Sequence, residues 1–554
     1  MKVNDSPDPT TSAPGVPDRS ASGLKSTLER FDMKWPLLVI FAGCLVWATF
    51  MAGVGWNHKL ADPHAFRQTQ TAITSYYLIR GGPFLKYETP VVGYPWSVPF
   101  EFPIYQWIVA TTCRILPSFQ LDQAGRLISE IFFVLCLATM WFLLSEFSVR
   151  PVYRLVFITL TLVSPQYIFW SRSFMIESTA LFFCLAYLYC IVRYSRTQKT
   201  TDLCLGLLFG VLGALVKATT FPAFALVGIL LYVLSLRRKD SGLVKPPKGF
   251  LRHGISAILF LCLPVLITWI WVQYTDQIKT LNIVGRHMTS AVLQTWNFGS
   301  LSQRFLGSTW QTLLTQIIPD LIGNPLILVL LFLSLLLARH RVLAFLISIV
   351  GFFSAFFIFT NLYVIHNYYA YASGVFLIAA ISWCIVGLLE GKWWHRLLGL
   401  ALFLICVVNS IAAYNDRLYF IQKLGDSDIT NVTRAIKNVT QPNDVILVFG
   451  RDWSSDVPYY AERRAIVWPA WTWLEPQLGE AIGALGNNRI GAVVLCNGTE
   501  QNAQLIQNVA GLVGNIGKPS FRDPACTVYP SAIPTSSAPQ NAPVPNSPAS
   551  APHD

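Results

Sequence analysis

Residues 35–54, WPLLVIFAGCLVWATFMAGV, hold no charged side chain over roughly the 20 residues that an α-helix needs to cross a bilayer. Hydrocarbon offers no water to stray backbone N–H and C=O groups, so such a segment crosses as a helix. Comparable stretches run at 125–145, 152–170, 173–193, 203–216, 219–236, 254–274, 322–338, 342–359, 369–388 and 396–414. Together they predict about eleven spans. The apolar run at 104–115 is too short to cross and is expected to lie at the interface or to re-enter. Only 13% of the 554 residues are charged and 53% are hydrophobic, where a soluble domain carries about a quarter charged. The first span is longer than a signal-peptide core and is followed by no small-residue cleavage site, so it is expected to stay as an anchor.

A net charge of +12 is in many proteins a nucleic-acid signature. Here the basic residues sit in short loops between apolar stretches, as in Arg150/Arg154, Arg193/Arg196/Lys199, Arg237/Arg238/Lys239, Arg339/Arg341 and Lys392/Arg396. Placing every cluster and the N-terminus in the cytoplasm predicts a multi-pass inner-membrane protein. Residues 55–103, the turn near Ser171, the break at Lys217, the loop 275–320, the turn 361–368 and everything after Tyr414 then face outward. Nearly all the uncommon polar residues collect on that side.

The fold class expected is an all-α polytopic membrane domain with a small external α/β domain at the C-terminus. Residues 1–34 form a polar tail too poor in large apolar groups to fold, 35–414 the membrane domain with a structured first external loop at 55–103, 415–530 the external domain, and 531–554 a Pro/Ala/Ser tail. In the external domain, DVILVFG (444–450), RAIVWP (464–469) and GAVVLC (491–496) alternate with helical patterns, which predicts a mainly parallel sheet. Nine of the eleven cysteines fall in or beside spans; Cys496 and Cys526 lie outside. An oxidising compartment permits a bridge between those two, and spacing alone leaves the pairing open.

The chemistry-bearing residues begin directly after the first span. WNHKLADPHAFRQTQTAITSYYLIRGG (56–82) reads as a turn at Asp62-Pro63 leading into an amphipathic helix, its apolar side on the membrane and its polar face presenting Arg67, Gln68, Gln70 and Thr71. The plainer reading makes Asp62 a helix N-cap. KYETPVVGYPWSVPFEFPIYQWIVA (86–110) adds Glu88 and Glu101, and so many rings and prolines imply a segment packed back on the spans. Arg172 and Glu177 stand between two stretches and Lys217 between two more. An ionised group at membrane depth costs about 2.5–3.5 kcal/mol on insertion scales, so each should face protein or water. Arg172 pairing with Glu177, and a snorkelling Lys217, are the structural alternatives. His366, Tyr368 and Tyr369 close the set, or form an aromatic belt. His58, Asp62 and His64 have a spacing that could hold a divalent ion, a weak pattern in a loop, and no metal site is assigned.

Read in order, Asp62, FEFPIYQW (100–107), SRSFMIESTALFF (171–183), GALVKATTFPAF (213–224) and IHNYYAYASG (365–374) resemble the GT-C membrane glycosyltransferases. The resemblance is strongest to the branch of the lipid A aminoarabinose transferases and protein O-mannosyltransferases, and covers roughly residues 35–415. It implies that Asp62 stands where the family carries its catalytic acid, and that Glu101 and Pro103 match a Glu-Lys-Pro element whose lysine is Phe102 here. Glu177 takes the place of an Asp after an Arg, and Lys217 that of a Thr-Lys pair. FRQTQTA (66–72) has no counterpart in those two branches.

The expected activity is an inverting transfer of sugar from a polyprenyl-phosphate carrier to a hydroxyl of a lipid, glycan or protein acceptor. Asp62 would be catalytic, with substrate contacts from His64, Arg67, Gln68, Glu88, Glu101, Arg172, Glu177, Lys217, His366, Tyr368 and Tyr369. No Walker loop or Rossmann glycine fingerprint is present, and the expectation includes no cofactor. A lipid-linked-sugar flippase is the main rival, since intramembrane charges also mark transport pathways; a non-enzymatic cell-envelope assembly protein is another. One-sided polarity and the absence of inverted repeats favour the enzyme.

Overall fold

The computed structural model describes residues 33–60, 64–239, 250–424, 429–470, 475–514 and 516–531. Both expected tails fall almost wholly outside these residues, and so does Asp62.

Seven helices are long and apolar enough to cross a membrane alone, and two bent pairs raise the number to nine among the described residues. Every one of the expected stretches falls on a helix, and up to nine of the eleven have the length and composition of a span. Thr200–Val216 and Phe221–Ser235 are shorter apolar helices. The stretch expected at 152–170 is broken into Pro151–Val163 and Pro165–Ser171, bent by 65°. Ser164 at the joint is extended (φ -62°, ψ 126°), because a proline ring excludes the residue before it from helical geometry. The stretch expected at 322–338 is the second half of the other pair, Gly307–Ile322 with Ile327–Ser334, bent by 76°.

Two helices form the centre of the bundle. In Glu177–Thr197 and Asn367–Leu389, 83% and 94% of the apolar window is buried inside the protein. Polar groups at their outer ends therefore face protein rather than lipid.

Outside the bundle lie two shorter helices, Ala65–Ile79 and Ile104–Ile115. The first turns its polar face inward, against expectation: Gln68, Thr69, Gln70, Thr71, Thr74 and Ser75 are all buried. The chain permits this because the hydroxyls of Thr69, Thr71, Thr74 and Ser75 each donate to the carbonyl four residues back. Such bonds satisfy a buried hydroxyl without any outside partner.

The C-terminal domain holds a five-stranded sheet, β1 Val445–Phe449, β2 Arg464–Val467, β3 Ile490–Cys496, β4 Phe521–Arg522 and β5 Cys526–Pro530, in the order β2-β1-β3-β5-β4. β2, β1 and β3 run parallel, as their buried β-branched runs imply. β5 and β4 add an antiparallel edge. Cys496 and Cys526 are opposed across β3 and β5 and form a disulfide.

This domain is joined to the segment after the first apolar helix by sheet hydrogen bonds. The Gly93 N–H donates to the Ala465 carbonyl at 3.0 Å, Ala465 N–H to the Pro90 carbonyl at 3.0 Å and Val467 N–H to the Val91 carbonyl at 2.7 Å. Residues 90–93 thus cover the β2 edge, which would otherwise be a template for foreign strands. The Asn282 amide donates to the carbonyls of Val92, Gly93 and Pro95, fixing the covering segment from the opposite side.

Candidate active site

The chain leaving the first span is held from two sides. Arg126, 1% exposed, donates through Nη1 to the carbonyls of Trp56 and His58, both at 2.7 Å. From the external domain, the Tyr460 hydroxyl accepts the Leu60 N–H at 2.5 Å. Tyr459 and Tyr460 in turn donate to Asp122 at 2.5 and 2.9 Å. The described chain stops at Leu60 and resumes at His64.

His64 stands before the Ala65–Ile79 helix in the left-handed region (φ 59°). Its ring lies 5.5 Å from Trp170, 5.4 Å from His366 and 4.8 Å from Tyr368, and its Nε2 is 3.2 Å from the Asn367 side-chain oxygen. Asn367 is fixed by its own donation to Asp320, which also receives Arg417 at 2.7 Å. One turn along the helix, Arg67 donates through Nη2 to Glu101 at 3.0 Å and through Nη1 to Gln70 at 2.5 Å. Gln106 holds the other Glu101 oxygen at 2.9 Å. Burial is the largest influence and works against the Arg67 charge, but Glu101, Tyr368, Glu177 and Tyr369 together outweigh it and hold the guanidinium above its ordinary pKa.

Lys217 reaches the same place from the end of Thr200–Val216. Its Nζ donates to Glu177 at 2.8 Å, with side-chain exposures of only 8% and 2%, and it lies 5.2 and 4.4 Å from the Tyr368 and Tyr369 ring centres. Glu177 therefore pairs with Lys217 and not with Arg172. Lys217 is buried rather than snorkelling. The Gln68 side-chain oxygen accepts the Phe174 N–H at 3.1 Å, tying the turn ahead of Glu177 to the external helix. Several buried polar atoms in this cluster have no protein partner: Gln70 Nε2, Trp170 Nε1, Glu177 Oε2 and His366 Nδ1. Unmade bonds of this kind are costly in a closed core, and they suit a site that binds hydroxyls and phosphate.

The expected residues thus divide. His64, Arg67, Glu101, Glu177, Lys217, His366, Tyr368 and Tyr369 form one cluster, with Gln68 bracing its edge. Arg172 and Glu88 lie elsewhere. Arg172 donates to the Gly55 carbonyl at 3.2 Å and sits beside Glu130. Glu88 pairs with Arg464 at 2.8 Å, across the contact with β2. Gln70, expected on the polar face of the helix, also belongs to the cluster; Gln106, Trp170, Asn367 and Asp320 belong to it and were not singled out by the sequence. A second buried lysine, Lys279, lies 4.7 Å from the Phe100 ring and near Glu101. No group of three or more potential metal-ligating side chains occurs among the described residues, and the His58/Asp62/His64 pattern includes a residue outside them.

Two measurements probe the cluster locally. Arg67→Lys keeps the charge but cannot hold Gln70 and Glu101 through separate nitrogens. It is expected to weaken binding of an anionic ligand by about 10- to 100-fold, the worth of one charge-assisted hydrogen bond. His366 is pushed down to about 4 by burial, then by the nearby His64, Lys217 and Arg67, against about 6.5 in an unfolded chain. Between those values the unfolded state binds the proton first. Stability is therefore fully present above about 6.5 and falls as pH drops toward 4. His366→Phe should flatten that part of a melting-temperature-against-pH profile, and an unchanged profile would contradict the assignment.

Residues 97–269 match the family profile described as dolichyl-phosphate-mannose-protein mannosyltransferase. The structure aligns with that of ArnT from Cupriavidus metallidurans bound to undecaprenyl phosphate at a TM-score of 0.57 and 13% identity, covering 90% of this chain and 98% of that one. The apo form of the same protein aligns at 0.56 and 14% identity, covering 89% and 97%. A sequence search of curated proteins gave no match. The chain therefore has the fold of the GT-C membrane glycosyltransferases and, over residues 97–269, the sequence signature of the dolichyl-phosphate-mannose-protein mannosyltransferase family.

Proposed function

We propose that the protein transfers a sugar from a polyprenyl-phosphate carrier to an acceptor hydroxyl at the outer face of the cytoplasmic membrane, with its N-terminus in the cytoplasm and its C-terminal domain outside. The observation that carries this reading is the convergence of Arg67–Glu101 and Lys217–Glu177 beside His64, His366, Tyr368 and Tyr369. A sugar phosphate on a lipid needs cations for its phosphate and rings for its apolar surfaces. Arg67 spends two of five N–H groups and Lys217 one of three on the bonds above. The remaining donors are enough to hold phosphate oxygens. The ArnT structure with undecaprenyl phosphate and the dolichyl-phosphate family match support a donor of this class.

In the reaction, the acceptor oxygen attacks the anomeric carbon as the bond from that carbon to the phosphate oxygen breaks. Asp62 takes the acceptor proton, and the electron pair of the broken bond leaves with the phosphate, where Arg67 and Lys217 stabilise it. A single displacement inverts the anomeric centre. Glu101 and Glu177 hold the two cations in place between turnovers.

The test is incubation of purified protein in proteoliposomes with a radiolabelled polyprenyl-phosphate sugar. Label leaving the lipid for an acceptor supports the transferase. Label that crosses the bilayer still bonded to its lipid identifies a flippase instead, and lipid that neither reacts nor moves leaves the assembly-protein reading.

A further inference from the structure

The external domain has a crevice of its own. β2, β1 and β3 lie side by side in that order, so the chain leaves β1 toward one side and returns on the other. Open α/β sheets bind ligands outside the carboxyl ends of their strands at such a reversal. A cavity of about 150 Å³ lies at this end of the sheet. Phe449, the last residue of β1, and Trp468, just after β2, help line it together with Leu505; Asn502, Gln504 and Asn508 stand on the segment that follows β3. Gln504 donates to the Asn508 oxygen at 2.9 Å and Asn502 accepts the Leu505 N–H at 3.0 Å, which orients the amides.

No acid or base lines the cavity among the described residues. Apolar side chains bordered by neutral amides favour a neutral ligand with an apolar face and hydroxyl edges. The volume is below the roughly 300–1,000 Å³ of pockets that enclose drug-sized ligands, so it suits one small ring. Aromatic and aliphatic side chains bordered by amides are complementary to a pyranose or furanose, whose C–H face is apolar and whose rim donates and accepts.

The same end of the sheet meets the ion cluster. After Phe449, Gly450 takes φ +81°, and a Cβ there would sit 2.0 Å from the Cys496 carbonyl oxygen, so only glycine lets the turn after β1 touch the end of β3. Three residues on, Trp453 packs its ring 4.7 Å from Phe66 and 5.9 Å from Phe100, the neighbours of Arg67 and Glu101. Cavity and ion cluster thus lie at the two ends of one turn, 449–453.

We infer that this cavity is a saccharide subsite that holds one neutral sugar ring of a glycan acceptor. Its role in acceptor binding rests on the transferase reading above; its ability to bind sugar does not. The experiment uses the full-length protein in detergent on an array of neutral and anionic oligosaccharides, followed by steady-state transfer to the best-retained glycan. The wild-type protein is expected to retain neutral glycans. Gln504→Ala/Asn508→Leu should weaken retention and raise the acceptor KM by about 10-fold or more, with kcat unchanged. Gln504→Trp, at the exposed rim, should block the mouth while leaving the fold intact, and serves if the double variant unfolds. Absence of glycan retention by the wild-type protein, retention undiminished in Gln504→Trp, or displacement of glycan by peptides would overturn the subsite. Glycan retained by a protein that transfers nothing would overturn the transferase reading and leave the subsite standing.

Discussion

Lys217→Met is expected to abolish sugar transfer and to destabilise the protein by about 3–5 kcal/mol, the cost of stranding one partner of a buried ion pair. Glu177 is 3% exposed, and its Oε2 already has no protein partner. Losing the ammonium at 2.8 Å would leave the carboxylate with no cation in direct contact. The Tyr368 and Tyr369 rings would lose the cation beside them as well, an interaction of about 2 kcal/mol when desolvated. Lys217→Met/Glu177→Leu separates the two roles. Replacing both charges by apolar groups should recover much of the stability, because a buried pair and a well-packed apolar pair are often near equal. It should recover none of the transfer, because the phosphate still lacks its cation. Thermal melts in detergent and single-turnover transfer read the two effects, and a double variant that regains activity would mean that Lys217 is purely structural.

Asp62→Asn is expected to reduce transfer by about 10²–10⁴-fold, the usual contribution of a positioned general base, while melting temperature and donor binding stay unchanged. Asp62 lies outside the described residues, but both flanks are anchored. Leu60 is held by Tyr460, and His64 sits among Trp170, His366 and Tyr368. Two residues before it the backbone meets the external domain, and two residues after it a ring enters the ion cluster. An amide keeps the size and polarity of the side chain but is a poor proton acceptor. A variant with full kcat would remove Asp62 from the chemistry, and weakened donor binding at unchanged kcat would assign it to the substrate pocket alone.

The bundle was legible because hydrocarbon demands long apolar helices, and that demand is written in stretches such as 35–54. Even so, the stretch at 152–170 hid its break, since Pro165 reads as a possible first helical residue as readily as a bend. The external helix 65–79 was legible as amphipathic, but its direction was not. Amphipathicity says that two faces differ, not which of them meets protein, and the threonines and serine solve their own burial through local backbone bonds. The ions follow the same rule. Burial cost marks Arg172, Glu177 and Lys217 as groups needing partners, yet only the packing of Thr200–Val216 against Glu177–Thr197 decides that it is Lys217 that takes Glu177. Gln106 and Asn367 carry no charge, so no cost singled them out. β4 and β5 escaped notice because a two-residue edge strand and the short strand it flanks carry no long apolar run, and the bridge to Cys496 holds β5 in register.

The most direct measurement is a structure of the protein in a lipid nanodisc with undecaprenyl phosphate. The account predicts phosphate density within hydrogen-bonding distance of both Arg67 and Lys217, with the tyrosine pair 368–369 against the adjoining carrier. Phosphate bound elsewhere, with Arg67 and Lys217 still engaged only by Glu101 and Glu177, would contradict it.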